Sequence, residues 1–229
     1  MDEQRIAAYG QLIQKLLLCS NDEKYQILNN HYELLDPGLL QMIIGIAKQA
    51  DDDGYQNIVK FLTNLALELG EWLGSETQPK AIKKRTADIL FDWANEQYNL
   101  SQFLVACQCL QQSLIIYQAI HDRQGEAASL GCLAVSLGRL GNTYDSLGES
   151  ERAIAFHEKS LAIFQEIKDR QGEATSLGGL GLDYFSLGQY ERAIDFHEKS
   201  LAISREIKDR QGEATSLGNL GIAYFNLGQ

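Results

Sequence analysis

The sequence predicts an all-α fold in which helix–turn–helix units stack into a solenoid. Residues 169–189 and 209–229 differ at four positions, and residues 151–168 and 191–208 differ at three, so the chain repeats with a period of 40. Within one copy, Leu177, Leu180 and Tyr184 follow the i, i+3, i+7 spacing of a single helix face. A period of this length is typical of solenoids, because each unit buries its apolar face only against its neighbours.

The first 77 residues do not repeat, but their patterns are also helical. We expect helices over residues 3–18, 22–34, 38–50 and 55–73. Asp36 followed by Pro37 is a helix-start signal, and residues 51–54 (DDDG) indicate a turn. The sequence therefore predicts an acidic N-terminal helical domain over residues 1–77, followed by a repeat array over residues 78–229.

The array divides into units of about 80–121, 122–168 and 169–208 and a half unit of 209–229. Pro79 is expected to open the first helix of the array, while Asp169 and Asp209 are expected to be N-caps. The motif DRQGEA at Asp122 lies 47 residues before its copy at Asp169, because a heptad is duplicated between Ser129 and Gly141. Seven residues are close to two helical turns, so the first helix of that unit should be two turns longer than its counterparts.

Five residues of one unit resemble the tetratricopeptide (TPR) pattern: Leu180-Gly181 with Tyr184, followed by Ala193 and Leu201. The resemblance implies a right-handed α-solenoid. The proline that ends the second helix of 34-residue TPRs is missing here, so that helix can continue, which accounts for the longer period. Repeats of 40 residues are similar to those of kinesin light chains, spindle-orientation adaptors and many bacterial signalling proteins.

The N-terminal region resembles the helical segments that precede TPR arrays in cyanobacterial proteins. The stretches that carry this resemblance are LLLCSNDEKYQILNNHYELLD and NLALELGEWL. Some of those proteins carry a caspase-like CHAT protease domain after the repeats. The resemblance therefore implies a second hypothesis, in which the array is the regulatory arm of a larger enzyme.

Composition and charge exclude several classes of function. The chain has 229 residues, of which 45% are hydrophobic and 22% charged, and its net charge is −11. This balance argues against nucleic-acid binding and against docking on anionic membranes, both of which need clustered Lys and Arg. The N-terminus lacks the features of a targeting leader, and the four cysteines lack zinc spacing. We expect a cytoplasmic protein with reduced thiols.

Side chains that could carry chemistry are few. The sequence contains no nucleophile-elbow, P-loop, zinc-protease or dinucleotide motif in a suitable context, so we expect no enzyme activity, no catalytic residues, no metal and no cofactor. His157 and His197 occupy the same repeat position. They could form a metal or acid–base pair, but a copied position favours a packing role. Glycines inside helices, such as Gly181 and Gly221, predict close backbone approach between paired helices, because each costs roughly 1 kcal/mol relative to Ala.

The face of each first helix opposite to its packing face is the candidate binding surface. In TPR proteins this face lines a concave groove that holds partner peptides, so the resemblance implies a protein or peptide partner. The alternative is that neighbouring helices bury these residues. The candidate residues are Asn142, Asp145, Ser146, Thr175, Gly178, Leu182, Phe185, Ser186, Thr215, Gly218, Ile222, Phe225 and Asn226.

The sequence thus favours a TPR scaffold or adaptor that binds a protein segment in its groove. The alternatives are the regulatory arm of a larger enzyme such as a CHAT-type protease, and homotypic assembly. The sequence stops after a first helix, without the polar cap that solenoids need. We therefore expect a fragment of a longer array, or self-association through the open C-terminal end.

Overall fold

The computed structural model describes residues 3–228, and this part of the chain is helical, without strands. The N-terminal third forms four α-helices, and a 3-10 turn at Tyr32–Leu34 joins the second to the third. Their bounds are α1 Glu3–Leu18, α2 Asn21–Asn30, α3 Pro37–Asp52 and α4 Gln56–Gly74.

Seven further helices follow. Their bounds are α5 Lys80–Asn99, α6 Phe103–Ala119, α7 Arg123–Ser146, α8 Ser150–Glu166, α9 Arg170–Ser186, α10 Tyr190–Glu206 and α11 Arg210–Leu227. In this series α7, α9 and α11 are the first helices of their units, and α8 and α10 are the second helices. Across residues 3–228, no helix is both long and apolar enough to cross a membrane.

One predicted helix of the N-terminal region is shorter in the structure. The helix expected over residues 22–34 ends at Asn30, because the pair Asn29-Asn30 favours helix less than the residues before it. The start signal at Asp36 is confirmed: its side chain accepts hydrogen bonds from the backbone N–H groups of Gly38 and Leu39. Pro79 precedes α5 rather than forming its first residue.

Two compact units are present. The first comprises Met1–Glu96 and Gln108–Glu126, and the second comprises Gln97–Cys107 and Ala127–Gln229. The predicted repeat unit over residues 80–121 therefore contributes to both. The boundary expected after residue 77 falls in the connection between α4 and α5, and the division of the chain at that point stays a prediction.

The duplicated heptad and the caps of the array are confirmed. Helix α7 has 24 residues, whereas α9 has 17, so the seven extra residues extend the helix rather than form a loop. Asp169 caps α9 by accepting from the backbone N–H of Gly172, and Asp209 caps α11 by accepting from that of Gln211. Between α9 and α10 the chain turns at Gly188, whose φ of 70° suits glycine.

Buried serines fix the register between helices. In three places a serine of a second helix donates its hydroxyl hydrogen bond to a backbone carbonyl that lies 26 residues earlier, on the preceding first helix. The pairs are Ser113 with Ala87, Ser160 with Ala134, and Ser200 with Ala174. The same offset indicates that α5 and α6 pack in the same register as α7 with α8 and α9 with α10.

The glycines inside these helices make room for side chains rather than for neighbouring backbones. A Cβ at Gly181 would overlap the imidazole of His197, whereas one at Gly178 would lie 3.7 Å from the Ser200 hydroxyl, which is ordinary contact. At Gly218 and Gly221 a Cβ would meet no described atom within 4 Å. The predicted close approach of backbones is therefore wrong at these four glycines, and at Gly181 the space is taken by an imidazole ring instead.

Candidate functional site

A groove in the second unit is the candidate site among the described residues. Its volume is about 680 Å³, and α7, α9 and α11 supply most of its lining, with side chains of α8 and α10 at its floor. Each first helix presents one face to it. Of the residues predicted for the binding face, five line this groove: Asn142, Thr175, Gly178, Leu182 and Thr215.

The other predicted residues lie outside the lining of the groove. Those that are exposed to solvent are Ser146, Ser186, Gly218, Ile222, Phe225 and Asn226. Asp145 is half-buried and accepts a hydrogen bond from Ser150. Phe185 is also half-buried, because its ring packs against Tyr190 and against a core cluster formed by Ile194, Leu201, Leu220 and Ala223. For Phe185 the structure favours burial by neighbouring helices.

The groove combines amides, carboxylates and small residues. Asn142, Gln171, Gln211 and Asn219 bring amide groups to its lining. Gln171 donates to the Asp209 carboxylate at 2.9 Å, and Arg139 donates to the Tyr98 hydroxyl at 3.1 Å. Such a surface can form hydrogen bonds with a peptide backbone while its glycine and alanine positions allow close approach.

Several lining residues were not among the predicted ones. They include Val135, Arg139, Gln171, Gln211, Asn219 and Ser204. Gln171 and Gln211 lie one turn before Thr175 and Thr215 on the same helix face, so extending the predicted face by one turn would have found them. Ser204 lies on a second helix, so the periodicity of the first helices could not have identified it.

His157 lies in a tight buried site between two first helices. A Cβ at Gly141 of α7 or at Gly179 of α9 would lie 2.6 or 2.7 Å from its ring. Its Nδ1–H donates to the Oδ2 of Asp183 at 2.7 Å, and both side chains are buried. Burial raises the pKa of Asp183, and the hydrogen bond from His157 opposes that shift.

His197 occupies the equivalent site one repeat later, but the residue equivalent to Asp183 is Ala223. Its ring is also buried, and its Nδ1 has no hydrogen-bond partner in the described structure. Burial lowers the pKa of His197 because the charged form is poorly solvated there. Both imidazoles therefore pack against glycines of a neighbouring helix, as expected for a packing position.

Comparison with known proteins identifies a family. The model for the tetratricopeptide repeat matches residues 86–166, 132–206 and 172–229. A comparison with curated proteins finds no match.

Two of the solved structures with similarity to the chain cover most of its length. The crystal structure of BtubC (BKLC) from P. vanneervenii is 19% identical, with a TM-score of 0.44, over 99% of this chain and 84% of that one. A putative kinesin light chain from Podosopora anserina, with nearly identical TPR-like repeats, is 20% identical, with a TM-score of 0.44, over 84% of this chain and 89% of that one.

The family matches overlap in steps of about one repeat, in agreement with the helix pairs of the structure. Tetratricopeptide repeats generally mediate protein–protein interactions, and their fold is typically a non-enzymatic scaffold. Because the matches together span residues 86–229, more than half of the chain, the protein belongs to the tetratricopeptide repeat family.

Proposed function

We propose that this protein is an interaction scaffold that holds a segment of a partner protein in the groove lined by α7, α9 and α11. The observation that carries the proposal is one continuous cavity of about 680 Å³ to which three successive first helices contribute the same face. Because three successive helices line it, such a cavity can contact several residues of a bound chain.

The polar groups of the groove suit a peptide backbone. Among residues 3–228, the side-chain amides of Asn142, Gln211 and Asn219 have no hydrogen-bond partner, and all three line the cavity. Each amide offers both a donor and an acceptor, as each peptide unit does. A bound segment can therefore gain backbone hydrogen bonds at three points without displacing existing ones.

The test compares two double variants, each of which introduces large side chains at two positions that are 40 residues apart. Thr175→Arg/Thr215→Arg fills the groove from α9 and α11, where both threonines are exposed. Ala162→Arg/Ala202→Arg places the same side chains at exposed positions of α8 and α10 outside the lining and is the matched control. Partners are captured with the wild type and both variants, and segments of those partners are then titrated against the purified proteins.

We expect the groove variant to lose the captured partners and to bind their segments at least about tenfold more weakly, since bulk in a cavity costs more than 1 kcal/mol. The control variant should bind as the wild type does. If the groove variant retains the same partners with the same affinity, the groove is not the binding site.

Self-association is a second candidate function, and the exposed ring of Phe225 favours it. Phe225 on α11 is 80% exposed, whereas its equivalent Phe185 is covered by α10 and α11. A second molecule that covers Phe225 would bury it in the same way. Sedimentation of the wild type and of Phe225→Ser at high concentration tests this, and a strictly monomeric wild type contradicts it. A role as the regulatory arm of a CHAT-type protease stays a prediction.

A further inference from the structure

One face of α11 corresponds to the face through which α9 binds α10. Four residues form this face on α9: Leu177, Gly181, Tyr184 and Phe185. Their counterparts 40 positions later form what we call the open face of α11: Leu217, Gly221, Tyr224 and Phe225. Leu177 is 6% exposed, whereas Leu217 is 46% exposed. An apolar side chain that α10 covers on α9 therefore lies in solvent on α11.

The interface between α9 and α10 shows what kind of helix such a face accepts. The ring of Tyr184 stacks on Phe196 of α10, with ring centroids 5.2 Å apart. The guanidinium of Arg192, also on α10, lies 3.9 Å from the centroid of the same tyrosine ring. The same contacts occur one repeat earlier, among Tyr144, Phe156 and Arg152. The tyrosine at this repeat position therefore contacts an Arg and a Phe that are four residues apart on one helix face.

The glycine at this repeat position makes room for a third side chain. The imidazole of His197, which follows Phe196, occupies the space where a Cβ of Gly181 would lie. His157 lies in the same way against Gly141. Both second helices therefore meet their first helix through one pattern, Arg-x-x-x-Phe-His, which begins at residue 152 in α8 and at residue 192 in α10.

The open face has the same residues but lacks these partners. A Cβ at Gly221 would meet no described atom within 4 Å, so the space that an imidazole fills elsewhere is empty. In the part of the chain that the structure describes, the ring of Tyr224 has no stacked ring and no cation over it. Phe225 is exposed, whereas its counterpart Phe185 packs against Tyr190 at the start of α10. The open face thus continues the established interface between α9 and α10.

We propose that the open face binds a helix of another protein that carries the pattern Arg-x-x-x-Phe-His. In this complex the Phe stacks on Tyr224, the Arg lies over the same ring, and the His fills the space at Gly221. A second copy of this chain could offer such a helix only by releasing α10 from its own α9, so a separate protein is the occupant. No residue of the open face lines the groove, so this interaction is additional to the proposed function.

The experiment supplies such a helix as a synthetic peptide. A fluorescent peptide with the sequence of α10, Tyr190–Glu206, is titrated with the full chain, and a peptide of the same composition in scrambled order is the control. We expect saturable binding by fluorescence anisotropy for the α10 peptide alone. The bound peptide should also gain helical circular dichroism, since a free helix of this length is marginal in water. Absence of binding, or equal binding of the scrambled peptide, would overturn the proposal.

Two matched glycine variants test where the peptide binds. Gly221→Ala places a Cβ where the imidazole of the peptide should lie, so binding should weaken at least about tenfold. Gly218→Ala is the control, because a Cβ at its counterpart Gly178 meets only ordinary contact with Ser200 of α10. In the chain alone a Cβ at either glycine meets nothing within 4 Å among the described atoms, so both variants should fold. Equal affinities of the two variants would contradict the proposal.

Changes in the peptide should couple to the change at Gly221. A peptide with His197→Ala lacks the ring, so Gly221→Ala should weaken its binding much less than that of the unchanged peptide. Peptides with Arg192→Ala or Phe196→Ala lack a contact to Tyr224 and should each bind the wild type about threefold more weakly or worse. Additive effects of Gly221→Ala and His197→Ala would show that the peptide binds elsewhere.

The open face, the groove and self-association can fail separately. Thr175→Arg/Thr215→Arg alters the groove and should leave binding of the α10 peptide unchanged; loss of binding in this variant would place the peptide in the groove and overturn the proposal. At the concentrations of the titration, sedimentation should show a monomer that binds one peptide. A dimer that excludes the peptide would show that a second copy covers the open face, which would also overturn the proposal.

Discussion

Two histidines in equivalent positions of nearly identical repeats have different surroundings. His157 donates to a buried carboxylate, Asp183, and lies between two glycines. His197 is equally buried, but its Nδ1 is unpaired, and the residue equivalent to Asp183 is Ala223. The rings have the same packing role, yet one site holds a buried hydrogen-bonded pair and the other holds a neutral imidazole.

The comparison shows which positions distinguish two nearly identical repeats. Residues 151–189 and 191–229 differ at only seven positions. Among them are Asp183, which changes to Ala223, and Phe164, which changes to Ser204. Both changes are buried and both alter a junction between helices. A small number of substitutions at junctions thus changes the chemistry of a repeat while its helices stay the same.

The largest effect is expected from removing the carboxylate of the His157 site. Asp183→Ala leaves the Nδ1–H of the buried His157 without a hydrogen-bond partner and should lower the free energy of unfolding by about 3 kcal/mol, measured by urea denaturation. Asp195→Ala is the matched control, because Asp195 is exposed and pairs with Lys199 on the surface, where such pairs contribute about 0.5 kcal/mol. Equal losses in the two variants would show that burial of the pair does not matter.

The next effect concerns the space that the ring of His197 occupies. Gly181→Ala places a Cβ inside the imidazole, and such overpacking should cost about 2 kcal/mol. Gly178→Ala, three residues earlier in the same helix, meets only ordinary contact with Ser200 and should not destabilise. If both variants unfold at the same temperature, the packing of the His197 ring does not require a glycine at position 181.

The unpaired imidazole predicts a dependence on pH. Burial lowers the pKa of His197 below its usual 6.5, so the stability that its neutral form contributes is complete above about 6.5. That stability is lost as the pH falls through the lowered pKa. The free energy of unfolding should therefore decrease from pH 7.5 to 5.5, and His197→Phe, which does not titrate, should decrease less.

A hydrogen-bond partner for His197 should reduce this dependence of stability on pH. Ala223→Asp supplies a carboxylate at the position equivalent to Asp183, so protonated His197 would gain a hydrogen-bonded counterion. We expect the acid-induced loss of stability between pH 7.5 and 5.5 to be smaller than in the wild type. A variant with an unchanged pH profile would contradict the view that Asp183 distinguishes the two sites.

The smallest expected effect is a gain in stability. Gly221 has the same repeat position as Gly181, but a Cβ there meets nothing within 4 Å among the described atoms. Gly221→Ala should therefore raise the free energy of unfolding by up to about 1 kcal/mol, the difference in helix propensity. If Gly221→Ala destabilises as much as Gly181→Ala, the glycine itself, rather than the ring beside it, determines the cost.

Much of the fold was predictable because its signals are local. The caps at Asp169 and Asp209 and the turn at Gly188 can be read from a few neighbouring residues, and the duplicated heptad follows from the spacing of two copies. The end of α2 at Asn30 was missed because helix propensity is a weak signal at helix ends.

The site was less predictable because it depends on contacts between units. Helix periodicity places Thr175 and Leu182 on one face, and both line the groove. The same periodicity includes Phe185, which α10 and α11 cover, since a helical wheel does not show which neighbour comes next. Asp183 lies beside core residues in the sequence, and only its difference from Ala223 between otherwise matching copies marks it.

Steric exclusion at His157 also bears on how the array assembles correctly. In a chain of interchangeable units, a helix can pair with the wrong copy during folding, and such misassembly is a characteristic failure of repeat proteins. The ring of His157 fits against Gly179 of α9, where a Cβ would lie 2.7 Å away. The matching residue of α11 is Asn219. If α11 took the place of α9 beside α8, its Cβ would collide with the imidazole, and the carboxylate would be missing, so the correct neighbour is selected by both shape and charge.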